Sequence, residues 1–247
     1  MKTRVLMALL GALAVRAVAP ACGPEMPVPV LADYAAQVIV AEVASARSYW
    51  AEDPRRIETE LVLKDVEYLK GAYDGASRTM TLIVPGGTVR DAGVGGEWGM
   101  RVCCAPEYRA GERWVLFVLP TCKVHPVVGM ERGSFRLVRD EHGVERVHGA
   151  DGRAISEVSP EGAVRYMASA GIAAGVDPKS QRGVRVMRAA EEAAGADRAA
   201  MSLEAFEAAI APALAQSRDH HLVEPAGRRV EADHRAVPIK RAGEVTP

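Results

Sequence analysis

Five segments with β-type character and no helical period between them constrain the fold of this chain most. They are rich in β-branched and aliphatic residues and are bounded by Pro, Gly and polar turns. The segments are QVIVAEVASA (37–46), IETELVLKDVEYL (57–69), TMTLIV (79–84), RWVLFVL (113–119) and VVGMERGSFRLV (127–138). Successive strands without intervening helices pair antiparallel, so the sequence predicts a mainly β fold, either a barrel or a sandwich.

Glycines and prolines mark the connections between these segments. Pro85-Gly86-Gly87 ends the third strand, and Gly129 and Gly133 indicate bulges or a tight bend in the last one. The pattern 93–99 (GVGGEWG) predicts a long flexible loop, because no Gly-Lys-Ser/Thr follows it and no βαβ context surrounds it, as a phosphate-binding loop would require. The sequence also predicts a hairpin extension at 144–148 that closes at Asp151-Gly152.

The character of the chain changes after the β-rich block. Residues 159–200 are rich in Ala, Gly and Arg and predict a linker with one marginal helix. Residues 201–216 predict a helix in which Ser202 caps the start and the apolar positions fall on one face, although Pro212 weakens it. The polar residues 217–247 predict a disordered tail.

The N-terminus has the pattern of an export signal. Lys2 and Arg4 precede the apolar run 5–15, which is shorter than the roughly 20 residues that span a bilayer. Small residues at Ala19 and Ala21 predict that residues 1–21 are removed and that Cys22 begins the mature chain. The pattern favours plain secretion. Because Ala21-Cys22 is similar to the end of a bacterial lipobox, Cys22 is also a candidate for lipidation, although Ala19 and Pro20 depart from that motif.

Four cysteines in an exported chain predict disulfides. The candidates are Cys22, Cys103, Cys104 and Cys122. A bridge between the vicinal Cys103 and Cys104 would be strained, so we expect Cys122 to join one of them and Cys22 to join the other. If Cys22 is lipidated, one cysteine is left over.

The β-rich block resembles exported bacterial proteins with an OB-like, netrin/TIMP-like barrel. The resemblance rests on the order ADYAAQVIVAEV, IETELVLKDVEYLKG, TLIVPGG, APEYRAGERWVLFVL and VVGMERGSFRLV. It implies a five-stranded antiparallel OB-like barrel over residues 22–158 with a helical and disordered C-terminal extension. In TIMP-type inhibitors an N-terminal disulfide-bonded Cys chelates the zinc of a metalloprotease. Cys22 would occupy that place here, although Pro24 stands where a second Cys is expected.

No residue pattern indicates a cofactor, a metal or nucleic acid. The formal net charge is −1, and basic residues are interleaved with acidic ones, which disfavours nucleic-acid binding. Two groups of potential metal ligands lack metal-binding spacing, so we expect solvated polar residues in both. They are Glu141-His142 with His148, and Asp219-His220-His221 with His234.

Two aromatic residues are candidates for a binding surface, namely Trp98 in the Gly-rich stretch and Tyr108 near a predicted loop. Trp114 alternates with Leu116 and is expected in the core. The sequence contains no G-x-S-x-G motif and no Cys with a convincing His base. The leading hypothesis is therefore an exported, non-enzymatic module that binds a protein partner, with the membrane reached only through a lipid on Cys22.

Two alternatives remain open. The first is a TIMP-like inhibitor that binds a protease through the N-terminus of Cys22. The second is an enzyme whose site is assembled from distant loops, for which Glu107, Tyr108 and His125 are the residues to test.

Intact-mass analysis of the mature protein, with and without reduction, tests the N-terminal prediction. We expect a chain that begins at Cys22 and gains mass on reduction. A diacylglyceryl group on Cys22 would eliminate the inhibitor hypothesis, and a mature protein that still carries residues 1–21 would contradict export by this signal.

Overall fold

The computed structural model describes residues 25–52, 55–72, 77–91, 96–121, 124–167 and 200–219. Within these ranges the strands are β1 (Gln37–Ala51), β2 (Arg56–Lys70), β3 (Met80–Pro85), β4 (Gly87–Asp91), β5 (Gly96–Met100), β6 (Arg113–Val118), β7 (Ser134–Arg139), β8 (Glu145–Gly149), β9 (Ile155–Val158) and β10 (Val164–Tyr166). The helices are α1 (Val28–Tyr34) and α2 (Leu203–Gln216), and a 3-10 turn covers Met130–Gly133. Neither α1 nor α2 has the length and apolarity needed to cross a membrane.

Six of these strands form one antiparallel sheet in the order β3-β2-β1-β6-β7-β8. Two smaller antiparallel sheets pair β4 with β5 and β9 with β10. The predicted mainly β, antiparallel class is therefore confirmed. The large sheet ends at β3 and β8, and no ladder among the described residues joins these two strands into a closed barrel.

The two longest strands, β1 and β2, form the centre of the sheet. Each has 15 residues, whereas β6 on the other side of β1 has 6. Register shifts interrupt the β1–β2 ladder between Val38 and Ile39, between Val40 and Glu42, and between Val43 and Ser45. Such bulges bend a strand and increase its twist. The second half of β1 pairs with β2 alone, so the β1–β2 pair extends past β6 as an arm, and β3 pairs with β2 along this arm.

Alternation along the strands divides the apolar residues between two cores. The first core lies on the face covered by α1 and α2, and it includes Val38 and Val40 of β1. The second lies on the opposite face and includes Ile39 and Ala41 of the same strand. Because successive side chains of a strand point to opposite faces, one strand contributes to both cores.

Helix α1 is held at its C-terminal end by a lysine from β2. Lys70 Nζ donates hydrogen bonds to the carbonyl oxygens of Ala32 (2.7 Å) and Ala35 (2.8 Å). A cation beside the carbonyl end of a helix also interacts favourably with the helix dipole. Burial of the ammonium lowers the pKa of Lys70.

The C-terminal segment 200–219 covers both the edge of β8 and the first core. Met201 donates its N–H to the Ile155 carbonyl (2.7 Å), and the Val147 N–H donates to the Met201 carbonyl (2.9 Å). Helix α2 then begins after Ser202, whose hydroxyl accepts from the Ala205 N–H. The helix lies within the predicted span, and its buried residues Phe206 and Ile210 pack into the first core.

The structure differs from the sequence prediction in four places. The stretch 93–99, expected to be a loop, contributes β5 of a hairpin with β4, and residues 92–95 lie outside the described ranges. The predicted strand 127–138 begins only at Ser134, because residues before it form turns and the 3-10 segment. Strand β10 lies inside the predicted linker, and α1 was not predicted. The signal segment 1–21, Cys22 and most of the tail lie outside the described ranges.

Replacing Phe206 tests whether α2 is an integral cover of the first core. The Phe206 ring is fully buried, and its centroid lies 5.1 Å from that of Phe135. We expect Phe206→Ala to lower the free energy of unfolding in urea by about 3–5 kcal/mol. The control Glu204→Gln, on an exposed position of the same helix, changes it by less than about 1 kcal/mol. Equal, small effects of both substitutions would contradict this packing.

Candidate functional site

A cavity of about 550 Å³ opens where the β1–β2 arm, the β4–β5 hairpin and the loop after β5 meet. Its lining residues come from elements far apart in the chain. They are Ala46, Ser48, Thr59, Leu61, Val84, Pro85, Gly86, Gly87, Thr88, Gly99, Met100, Arg101, Val102, Ala105, Pro106, Glu107, Tyr108 and Arg109. A concave site of this size suits a side chain or a short segment of a ligand.

Hydroxyl groups on the arm bind the hairpin at the base of the cavity. Ser48 Oγ and Thr59 Oγ1 lie 2.8 Å apart, and Thr59 Oγ1 donates to the Gly86 carbonyl (2.6 Å). The Thr88 N–H donates to Ser48 Oγ (3.3 Å). At Gly87 the backbone φ is +129°, and a Cβ there would overlap both hydroxyls, so the close approach requires glycine.

Three exposed charged side chains stand on the rim. Glu107 accepts from Arg101 Nη2 (3.1 Å) through one oxygen and from Arg109 Nη2 (3.4 Å) through the other. The side chains are 60–89% exposed, and such pairs contribute little to stability. One carboxylate shared by two guanidinium groups leaves the rim with a positive charge that is open to solvent.

Trp98 lies on the hairpin that forms one wall of the cavity. It is 49% exposed and stands opposite Val89 in the β4–β5 ladder. Their neighbours Thr88 and Gly99 line the cavity, whereas Val89 and Trp98 do not. Because side chains alternate along a strand, the indole lies on the outer face of the hairpin.

Tyr108 lies at the inner end of the cavity and is only 7% exposed. Its hydroxyl and that of Ser134 are 2.9 Å apart, and its ring packs edge-to-face on Trp114 at 4.9 Å. Burial raises the pKa of the Tyr108 phenol. Of the two predicted surface aromatics, therefore, only Trp98 presents its ring to solvent, while Trp114 is buried as expected.

The vicinal cysteines lie in the loop between Val102 and Ala105 on the cavity rim. Cys103 is exposed and carries no disulfide, and its Sγ lies 3.2 Å from that of Cys104, well beyond the bond length of about 2.05 Å. The free Cys103 differs from the expected pairing of both members with other cysteines, whereas Cys104 is disulfide-bonded. Cys22 and Cys122 lie outside the described residues, so their pairing stays a prediction.

The His125 ring is buried, with 4% exposed. The Val127 N–H donates to His125 Nδ1 (3.1 Å), and Nε2 has no hydrogen-bond partner in the described part of the chain. Burial lowers the pKa of His125 to about 4. The ring is therefore neutral at physiological pH and is closed off from a solvent-borne substrate.

The potential metal ligands do not converge. His142 is exposed beside Glu141, with 3.5 Å between Nε2 and Oε1, whereas His148 is buried and lies 3.2 Å from the Gly152 carbonyl through Nδ1. Among the residues that the structure describes, no group of three or more His, Cys, Asp or Glu side chains could hold a metal ion. His220, His221 and His234 lie outside those residues.

Comparison with known proteins adds no assignment. The chain matches no model of a protein family, no curated protein and no solved structure. The resemblance to OB-like, netrin/TIMP-like proteins stays a prediction, and the function is argued from the site itself.

Of the residues that line the cavity, the sequence pointed to Glu107 and Tyr108 but not to those that tie the arm to the hairpin. Ser48 and Thr59 sit in strands and carried no visible signal, because they become neighbours only once β1 and β2 pair. Arg101 and Arg109 were likewise not predicted. The signal that was available is the Pro85-Gly86-Gly87 sequence, since paired glycines after a strand often mark a close approach of two backbones.

The buried His125 predicts a pH-dependent stability. The unfolded chain binds a proton at about pH 6.5, whereas the folded chain does so only at about pH 4. The unfolded state therefore holds more protons between these values, and the free energy of unfolding falls as the pH drops through this window. We expect His125→Asn, which keeps an acceptor for the Val127 N–H, to abolish about 3 kcal/mol of that fall.

Urea unfolding at several pH values between neutral and acid measures this effect. His142→Asn, at an exposed site, is the matched control and should leave the wild-type pH profile unchanged. If His125→Asn and wild type lose the same stability on acidification, His125 is not the buried titrating group.

Proposed function

We propose that this protein is an exported, non-enzymatic binding module that contacts a protein partner through the β4–β5 hairpin and the adjacent cavity. One observation carries the proposal: a half-exposed tryptophan, Trp98, stands on the hairpin that walls an open cavity of about 550 Å³. Tryptophan and arginine are enriched among the residues that dominate protein–protein binding. Arg101 and Arg109 lie on the rim of the same cavity.

The placement of the other candidate residues supports a role in binding rather than catalysis. Tyr108 and His125 are both buried, so neither presents a titrating group to a substrate from solvent. Glu107 is exposed, but its two oxygens accept from Arg101 and Arg109. The three residues that the sequence offers for a loop-assembled enzyme site thus have separate structural roles.

The proposal includes an OB-like, netrin/TIMP-like barrel as the scaffold. Its support is the second core, in which residues of β1, β2, β3 and β6 meet Tyr108 and Val127 without any helix. A sheet that buries one face against its own strands and loops must curl around that face. The opposite face packs on α1 and α2.

Export and the N-terminal chemistry belong to the same proposal. The support is the signal-like sequence that ends at Ala21, with Cys22 as the first mature residue. The lipid-anchored and secreted forms both place the module outside the cytoplasm. A protease is one possible class of partner, and in that alternative the N-terminus of Cys22 makes the contact.

Site-specific photo-crosslinking in the producing cell tests the binding surface. A photoreactive phenylalanine derivative replaces Trp98 in one variant and Tyr34, which is 60% exposed on α1, in the control. We expect a discrete adduct with one protein from position 98 and none from position 34, because only position 98 lies on the β4–β5 hairpin of the proposed contact surface. The Trp98→Ala variant should weaken binding of the identified partner by about tenfold or more.

Absence of an adduct at position 98, or the same adducts at both positions, would contradict this surface. Fractionation of the same cells reports on localisation. Cytoplasmic retention of the full-length chain would contradict export. The crosslink tests the binding surface independently of that result.

A further inference from the structure

The two edge strands of the large sheet, β8 and β3, differ in whether another segment pairs with them. At the β8 edge, segment 200–202 pairs with the strand through the Val147 N–H and the Arg146–Ser202 bridge. At the other edge, β3 pairs with β2 on one side, and no described residue pairs with its other side. An edge strand without a neighbour presents a row of backbone donors and acceptors.

The β2–β3 register determines which backbone groups of β3 face outward. The Gly86 N–H donates to the Ile57 carbonyl (2.8 Å), so these two residues form a hydrogen-bonded pair of the antiparallel ladder. Such pairs alternate with non-hydrogen-bonded ones. Val84, Leu82 and Met80 therefore direct their backbone groups to β2. The N–H and C=O groups of Thr81 and Ile83 point to the open edge.

Pro85 fits this assignment. Pro85 has the same orientation in the strand as Thr81 and Ile83, so its nitrogen faces outward. Because this nitrogen has no hydrogen to donate, its outward position removes no hydrogen bond between β2 and β3. Its carbonyl remains available as an acceptor. The open edge thus offers two complete donor–acceptor pairs and one additional acceptor.

The side chains of β3 give this edge little protection against pairing. The strand reads MTLIVP and contains no charged residue. Natural sheets usually shield open edges with lysine or other charges, with bulges or with a covering segment. Pro85 blocks continuation at one end only, so the five residues of β3 before it remain able to accept a neighbour.

We propose that an extended segment of a protein partner adds to β3 as a further strand, pairing with the backbone of Thr81 and Ile83. The inference rests on the proposed function, because it names how the module holds its partner. Main-chain hydrogen bonds supply affinity in this mode of recognition, and adjacent pockets supply specificity. Val84 and Pro85 line the cavity, so the added strand ends at the charged rim.

The probe is a displayed library of random linear peptides, selected against the full mature chain. Enriched peptides are synthesised in two forms, each N-methylated at alternate residues but in opposite registers. N-methylation removes backbone donors, and in a β-strand only every second residue faces the partner strand. We expect one register to abolish binding, measured by fluorescence polarisation, and the other to retain it.

Variants of β3 test the same pairing from the protein side. Ile83→Pro removes the outward N–H without removing a hydrogen bond to β2, and we expect it to weaken peptide binding at least about tenfold. Ile83→Ala keeps the N–H and should stay within about threefold of wild type. If Ile83→Pro fails to fold, as judged by circular dichroism, the two methylated peptides decide the question on the wild-type chain.

Three results would overturn the pairing. The first is that no library peptide binds, and the second is that binding is indifferent to both methylation registers and to Ile83→Pro. The third is concentration-dependent self-association in sedimentation that Ile83→Pro abolishes, which would make a second copy of this chain the occupant of the edge. In the first two cases, a crosslink from position 98 would still support the proposed binding function. If instead β3 pairs with peptides but position 98 gives no crosslink, only the hairpin would be rejected as a contact surface.

Discussion

The double pairing of β1 is the constraint on which the rest of the structure depends. Its first half is hydrogen-bonded to β2 on one side and to β6 on the other, so its backbone is fixed in register from both edges. Val38 and Val40 then face the helices, while Ile39 and Ala41 face the second core. A slip by one residue would exchange these sets and expose each to the wrong neighbours.

The position of the cavity follows from a mismatch in strand length. Strands β1 and β2 continue beyond the end of β6, which leaves their distal halves without a neighbour on the β6 side. Ser48 and Thr59 lie opposite each other on this arm and present hydroxyls to the backbone at Gly86 and Gly87. The hairpin that follows is therefore tied to the arm by polar contacts rather than by an apolar core, and a cavity remains between them.

The sequence predicted the large sheet because its strands carry a signal of their own. Alternating or continuous apolar residues and the turn at 85–87 place most of the six strands, and the helix with its Ser202 cap follows from helical periodicity. The β4–β5 hairpin gave no such signal, since GEWGM contains two glycines and is exposed along most of its length. Its pairing depends on backbone hydrogen bonds and on contacts with the arm.

The candidate site was harder to predict than the fold for a related physical reason. Trp98 could be placed on the surface because it stands in a Gly-rich stretch, with glutamate before it and glycine after it. Tyr108 lies in an irregular segment, and only the folded chain brings it against Trp114 and Ser134. Residues in loops have no periodicity that reports burial, so their environment is determined by contacts distant in sequence.

The features on which the proposed binding rests are concentrated on the side of the sheet that lies opposite β8. Strand β3 and the hairpin that carries Trp98 are consecutive in the chain, joined through Gly86 and Gly87, and residues of both line the cavity. The other edge is covered by segment 200–202, and the helices cover the first core. The C-terminal segment thus covers one edge of the sheet, and the other edge is uncharged and open. This asymmetry suits the proposed module with a single contact surface, in which backbone pairing at β3 and side-chain contacts at the hairpin would act on the same partner.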